Sequence, residues 1–335
     1  MTKERDSRID TLYTIGIFLV LIGHSHPNDW SLFDGTFYVN IIAFIYTFHM
    51  ALFFFIAGYL LENSESINKL GYGKWIRNKA VHLLTPYIVL SALAFFPKYY
   101  LEYHDIPDLF TFITIIIKPR AGVWGHFWFI PVLFMWYVLF GLWKSFVNKK
   151  NRKIMTGIIF ICSVILYFLP LNTDWFALAD FKEACVFICT GIFVRQTALN
   201  KWGGVFRKIP KIRGIFIIIT SVSLNLLLMQ VESSCAFFDL LSALAMILAC
   251  WNLAVLIKGN SFTQWISMHN FTIYIYSWLF QSVVMAVCGV LGLRWYITSL
   301  LMFIAGFVLP VIMIMTYEKF KKIHNYLFEL ILGVK

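Results

Sequence analysis

The apolar residues of this chain fall in long runs of about twenty, separated by short polar stretches. Runs of that length suit helices that cross a bilayer. They lack the period-two alternation of a membrane barrel. The pattern predicts ten spans, at residues 10–26, 38–61, 83–101, 127–143, 154–170, 181–198, 214–230, 239–257, 265–290 and 296–317. A further apolar stretch, 106–117, is too short to cross and is expected at the membrane interface. The longest connections, 62–82 and 102–126, read as loops. No repeat, low-complexity tract or separate soluble domain is visible, so residues 1–335 read as a single integral membrane domain. The predicted fold class is an all-α polytopic membrane bundle.

Composition strengthens this picture. Of the 335 residues 60% are apolar and 13% charged, with a mean hydropathy of +0.76. Soluble domains are about 45–50% apolar and about 25% charged. A soluble globule, a disordered chain and a disulfide scaffold are thereby excluded. The six cysteines lie mostly inside apolar runs without metal-ligand spacing, and read as small buried side chains.

A net charge of +11 allows either nucleic acid or basic cytoplasmic loops. The placement of the charges favours loops. With the N-terminus inside, ten spans put 23 of the 28 Lys and Arg on one side, leaving only Lys98, Lys118, Arg120, Lys182 and Arg294 on the other. Both termini are therefore expected in the cytoplasm. Lys3, Arg5 and Arg8 precede the first run as in a leader peptide, but no small-residue cleavage site follows, so a retained span is expected.

Ionisable groups inside spans are costly and so point to function. His24 falls near the outer end of span 1 and His49 near the middle of span 2. His126 stands just before span 4, next to Trp128. Any of them is a candidate general base near neutral pH; each is equally able simply to donate to a backbone carbonyl. No acidic or thiol partners stand at ligand spacing, so no metal is expected. Tyr13 and His24, eleven residues apart, share one helix face about 16 Å apart along the axis, and Asp10 lies close to the same stripe. Such a stripe suits a long, thin ligand. Asp10, about 21 Å from His24, is too distant to orient it. Glu183 and Asp239 are the candidates for that, or for contacts to a polar substrate. Between Lys74 and His82, the side chains of Lys74, Arg77, Lys79 and His82 either anchor a cytoplasmic loop or hold phosphates. The outer loops, with Asp29, Asp34, Asp174, Trp30, Trp124, Trp128 and Trp175, read as a polar-aromatic mouth or as interfacial anchors.

Several of these segments resemble the membrane acyltransferase-3 family. Ile9-Asp10 and the run Ile15 to Ser25, ending Gly23-His24-Ser25, are similar to its opening. Phe48-His49-Met50 through Gly58-Tyr59 resembles its second-span motif. His82-Leu83-Leu84-Thr85-Pro86-Tyr87, Phe127-Trp128-Phe129-Ile130-Pro131 and Thr272-Ile273-Tyr274-Ile275-Tyr276-Ser277-Trp278 resemble later ones, in order along nearly the whole chain. The resemblance implies transfer of an acyl group, often acetyl from acetyl-CoA, to a hydroxyl of a bacterial surface glycan or its lipid-linked precursor. It implies a multi-pass protein of the bacterial inner membrane, with the donor as co-substrate and no resident cofactor. His24 matches the family's proposed catalytic residue. Two positions depart from the pattern: Tyr13 stands where a basic residue is common, and Lys79-Ala80-Val81-His82 replaces a spaced arginine pair. On this reading the CoA phosphates lie near Lys74, Arg77, Lys79 and His82. The pantetheine arm passes Tyr13, His24 takes the acceptor proton, and His49 stabilises the oxyanion. His126, Trp128, Glu183 and Asp239 meet the acceptor. The competing reading is a transporter of a sugar or lipid-linked glycan, which ten spans and buried histidines also suit.

Overall fold

The computed structural model describes residues 6–62, 66–121, 125–147, 151–198, 210–231 and 235–319. Trp124 lies outside them, as do Lys3, Arg5, Lys149, Lys150, Lys201, Arg207, Lys208, Lys321, Lys322 and Lys335 of the charge pattern. Every regular element among the described residues is helical: α1 (Ser7–Gly23), α2 (Phe37–Tyr46), α3 (His49–Glu62), α4 (Ser66–Leu70), α5 (Tyr72–Tyr103), α6 (Leu109–Ile117), α7 (Phe129–Phe146), α8 (Arg152–Phe168), α9 (Leu178–Ala198), α10 (Lys211–Met229), α11 (Ala236–Ile257), α12 (Ser261–Val290) and α13 (Trp295–Lys319), with short 3-10 turns between some of them.

Counting α2 and α3 together as the one stretch Phe37–Glu62, seven helical stretches among the described residues are long and apolar enough to cross a membrane. The other three expected spans correspond to α1, α8 and α9. The first two run only 17 residues each, about 26 Å at 1.5 Å per residue. The third carries Asp180, Lys182, Glu183 and Arg195. Segment 106–117 forms the nine-residue α6, too short to cross, and Tyr87 on α5 donates to its Ile116 carbonyl at 2.9 Å.

Two expectations are corrected. The predicted loop before span 3 is helical: α5 begins at Tyr72, after Gly71 turns the chain with φ 75°. Lys, Arg and Ala are strong helix formers, and Trp75, Lys79 and His82 follow the i, i+4, i+7 spacing of one helix face, which their polarity disguised. The second span is broken. α2 ends at Tyr46, a turn spans Thr47–Phe48, and α3 starts at His49. The Thr47 hydroxyl donates back to the Phe44 carbonyl at 2.8 Å, competing with the helix ladder. Asn225 of α10, fully buried, donates to the same hydroxyl at 3.1 Å, and Ser242 of α11 donates to Asn225. The break is thus satisfied inside the protein, as a bilayer requires.

The chain forms two compact units, residues 1–56 with 204–324 and residues 57–203 with 325–335. In the first, α1 packs against α2, α11, α12 and α13, and buries Ile9, Leu12, Ile17, Val20 and Leu21. A helix buried on nearly every side has no need of an amphipathic pattern. Small residues let neighbouring helices approach: a Cβ on Gly16 would meet the Phe53 ring at 2.8 Å. In the second, α5 packs on α7, α7 on α9 and α8 on α9. A Cβ on Gly58 would strike the Ile188 carbonyl oxygen at 2.0 Å, so α3 and α9 touch backbone to backbone there.

Candidate active site

α1 stops at Gly23, and Pro27 four residues on prevents its resumption. The last carbonyls of a helix have no partner within it. In a bilayer that deficit must be met by side chains, and here four do so. Ser25 Oγ donates to the Leu21 carbonyl at 2.5 Å, and Gln281 Nε2 donates to the same carbonyl at 3.1 Å and to Ser25 Oγ at 2.9 Å. Tyr46 donates to the Gly23 carbonyl at 2.7 Å, and Tyr38 to the Ser25 carbonyl at 2.7 Å. Each such bond contributes about 1 kcal/mol. Together they fix the segment bearing His24.

His24 is half-buried, its ring edge-on to Trp278 at 5.5 Å and 6.1 Å from Tyr46. On its other flank Tyr46 lies 5.2 Å from the His49 ring. Two predicted histidines therefore border one tyrosine. His49 is 7% exposed, and its Nδ1 lies 3.0 Å from the Ile45 carbonyl. A carbonyl only accepts, so Nδ1 carries the proton and neutral His49 has only an accepting Nε2. Stabilising an oxyanion from His49 would require the imidazolium. Beyond His24, His26 is buried against Trp30 and Phe33 and bonded to the Pro27 carbonyl at 2.8 Å; burial pushes its pKa below 6.5.

Tyr13 is half-buried, 6.3 Å from Phe53, and Asp10 is 5% exposed on the same helix. Both residues lie on α1, whose C-cap is His24. Asp239 is exposed in the first turn of α11.

In the second unit, the first turns of α5 split the four predicted phosphate ligands. Lys74 and Arg77 are exposed, whereas Lys79 and His82 are half-buried on the Trp75 side. The Lys79 ammonium lies 4.4 Å from the Tyr137 ring and 5.9 Å from Trp75. Elsewhere in that unit His126 and Trp128 occupy the turn Gly125–Trp128 before α7. Arg120 lies 4.5 Å from the Trp128 ring and pairs with both Asp180 oxygens at 2.9 Å through Nε. It also feels the charge of Glu183, one turn along α9. Arg120 thus meets Trp128 and Asp180 directly and Glu183 through its charge.

A family model described as an acyltransferase domain, of the acyltransferase-3 type, matches residues 6–317. The chain belongs to this family of membrane acyltransferases. The chain is also similar to two relatives named nodulation protein NolL. That of Mesorhizobium japonicum is 25% identical over 225 residues, 66% of this chain and 55% of the relative. That of Sinorhizobium fredii is 26% identical over 204 residues, 58% and 50% respectively. The chain spans about half the length of the curated relatives it matches. No solved structure gives a significant match.

The acyltransferase-3 motifs converge in part. Gly23-His24-Ser25, His49 and Trp278 lie in one unit around Tyr46. Sequence reasoning passed over Tyr38, Tyr46 and Gln281. Gln281 carried a signal: an amide inside an apolar run, three residues after Trp278. The two tyrosines did not, because a span rich in aromatics hides them.

Proposed function

We propose that the protein transfers an acyl group, acetyl in the first instance, from acyl-CoA to a hydroxyl of a lipid-linked or membrane-proximal glycan. The observation that carries this reading is His24, held at the end of α1 by side-chain bonds to the Leu21, Gly23 and Ser25 backbone in a chain of the acyltransferase family. His24 removes the acceptor hydroxyl proton. The freed oxygen attacks the thioester carbonyl carbon and the carbon–sulfur bond breaks. The CoA thiolate leaves with the proton returned by the imidazolium. His49, its Nδ1 already committed, helps through Nε2 as an acceptor rather than as an oxyanion donor.

The first turns of α5 are the proposed phosphate site, with Lys79 and His82 inward and Lys74 and Arg77 outward. Tyr13 to His24, about 16 Å along one helix, matches an extended pantetheine arm of on the order of 15–20 Å. Trp128 and Glu183, with His126 beside them and Asp239 on α11, are the proposed acceptor contacts; indole faces and carboxylates suit a sugar's CH and OH faces. The proposed location is the bacterial inner membrane, with the basic loops inward.

The test is labelled acetyl-CoA incubated with membranes. Covalent label on glycan from the native chain and none from His24→Ala is the expected result. Glycan uptake without label would favour transport instead.

A further inference from the structure

A second group of charges lies where α3, α7, α8 and α9 end or begin, apart from every residue used above. Glu62 closes α3, Lys144 is in the last turn of α7, Arg152 opens α8, and Arg195 is in the last turn of α9. Glu62 lies within electrostatic reach of all three cations and is hydrogen-bonded to Gln196. Among the described residues, Glu62 is the carboxylate these three cations share. They are not solvated loops: Lys144 is only 7% exposed. Arg195 gives one nitrogen to the Tyr59 hydroxyl at 2.8 Å. Yet its buried Nε, like that of Arg152, has no hydrogen-bond partner among the described residues. Buried guanidinium donors left unsatisfied are expensive unless an anion takes them.

Beneath these charges lies an apolar cavity of about 200 Å³ between α7, α8 and α9, walled by Trp136, Phe140, Trp143, Thr156 and Ile192. Three of its walls belong to the charged group as well. Lys144 stands 5.6 Å from the Phe140 ring, Arg152 stands 5.8 Å from Trp143, and Gln196 donates to Thr156 at 2.9 Å. At about 30 Å³ per water-sized group, the cavity takes about seven methylenes. Alongside, Ile154, Ile158, Ile161 and Ile165 form an exposed stripe down α8, the kind of face that meets lipid.

We propose that this is a binding site for an anionic phospholipid: its phosphate on Lys144, Arg152 and Arg195, the upper part of one acyl chain in the cavity. A free phosphate would leave the cavity empty, and a neutral lipid would bring no anion to the buried Arg152 and Arg195 donors. Basic recesses between membrane helices recognise lipid headgroups on these grounds.

The test is the full-length protein in nanodiscs and by native mass spectrometry, comparing phosphatidylglycerol with phosphatidylcholine, and with inorganic phosphate and CoA as competitors. The native chain should retain phosphatidylglycerol saturably and phosphatidylcholine not at all. Arg152→Gln should weaken retention about fivefold, as loss of one near-surface cation predicts. Leu139→Trp, which fills the cavity from a half-exposed wall and removes no charge, should weaken it too, and it carries the test if Arg152→Gln does not fold. Equal retention of the two lipids, or retention unchanged in Leu139→Trp, overturns the proposal. Displacement by inorganic phosphate or CoA also overturns it, assigning the cations to a free phosphate ligand. None of these outcomes depends on acyl transfer.

Discussion

The end of α1 and the start of α5 carry the two most polar groups of the proposed reaction, and they are built in opposite ways. Around His24 the backbone carbonyls of Leu21, Gly23 and Ser25 each accept from a side chain drawn from α2, α12 or the segment itself. Along the first turns of α5, Lys79 rests on aromatic rings and Lys74 and Arg77 point outward. A proton must be taken at one position, so a base is worth fixing to within fractions of an ångström. Phosphates are recognised by charge, which tolerates a looser hold. The contrast predicts that small changes near His24 act on turnover, whereas changes on α5 act on donor affinity.

The largest effect should come from His24→Ala. Loss of a positioned general base lowers rates by about 10² to 10⁴, with expression and membrane insertion intact. His49→Ala should lose less, because that ring's Nδ1 is spent on a carbonyl. Mass analysis of the glycan, with turnover of labelled donor, measures both. Equal losses would mean that the two rings act as one unit.

Next in size are the bonds that hold the loop. Gln281→Ala removes two of them. Gly306→Ala should disturb the same two from α13, because its methyl would come within 2.8 Å of the Gln281 side chain. Each is expected to lower kcat about tenfold with donor KM unchanged, and the double variant should be no worse than the worse single one. Additive losses would separate Gly306 from the His24 segment.

On α5 the effects are smaller and of the other kind. Lys79→Ala should raise donor KM several-fold with little change in kcat, Lys79→Arg should restore part of it, and Lys74→Ala should do less than either. A change in kcat alone would break the contrast.

The sequence makes the helices legible because bilayer spans need long apolar runs, and a glycine–proline pair such as Gly23 and Pro27 marks where one must stop. His24 was legible for the same reason, as a costly group in an apolar run. The break at Thr47–Phe48 was not. Apolar residues run straight through it, and what braces it, Asn225 and Ser242, lies nearly 180 residues along the chain. The α5 start was misread because a charged run resembles a loop until Trp75, Lys79 and His82 are placed on one face. Local composition reports burial well. It does not report which distant donor will satisfy a given carbonyl.

The smallest effect concerns pH, and it sharpens the same contrast from the side of stability. His26 belongs to the fixed region, enclosed by Trp30 and Phe33, and burial holds its pKa below the ordinary 6.5. Above that value the ring is neutral in both folded and unfolded chains and the linkage is silent. As pH falls through 6.5 the unfolded chain takes up a proton that the folded one resists, so the folded state loses ground until its own ring titrates. Thermal unfolding of the purified protein followed from pH 7.5 down to pH 5 should show a decline that His26→Gln reduces. The decline should be accompanied by loss of activity, since the His24 segment lies two residues away. An identical decline in His26→Gln would assign the pH response to other groups and leave the α1 end fixed by its carbonyl bonds alone.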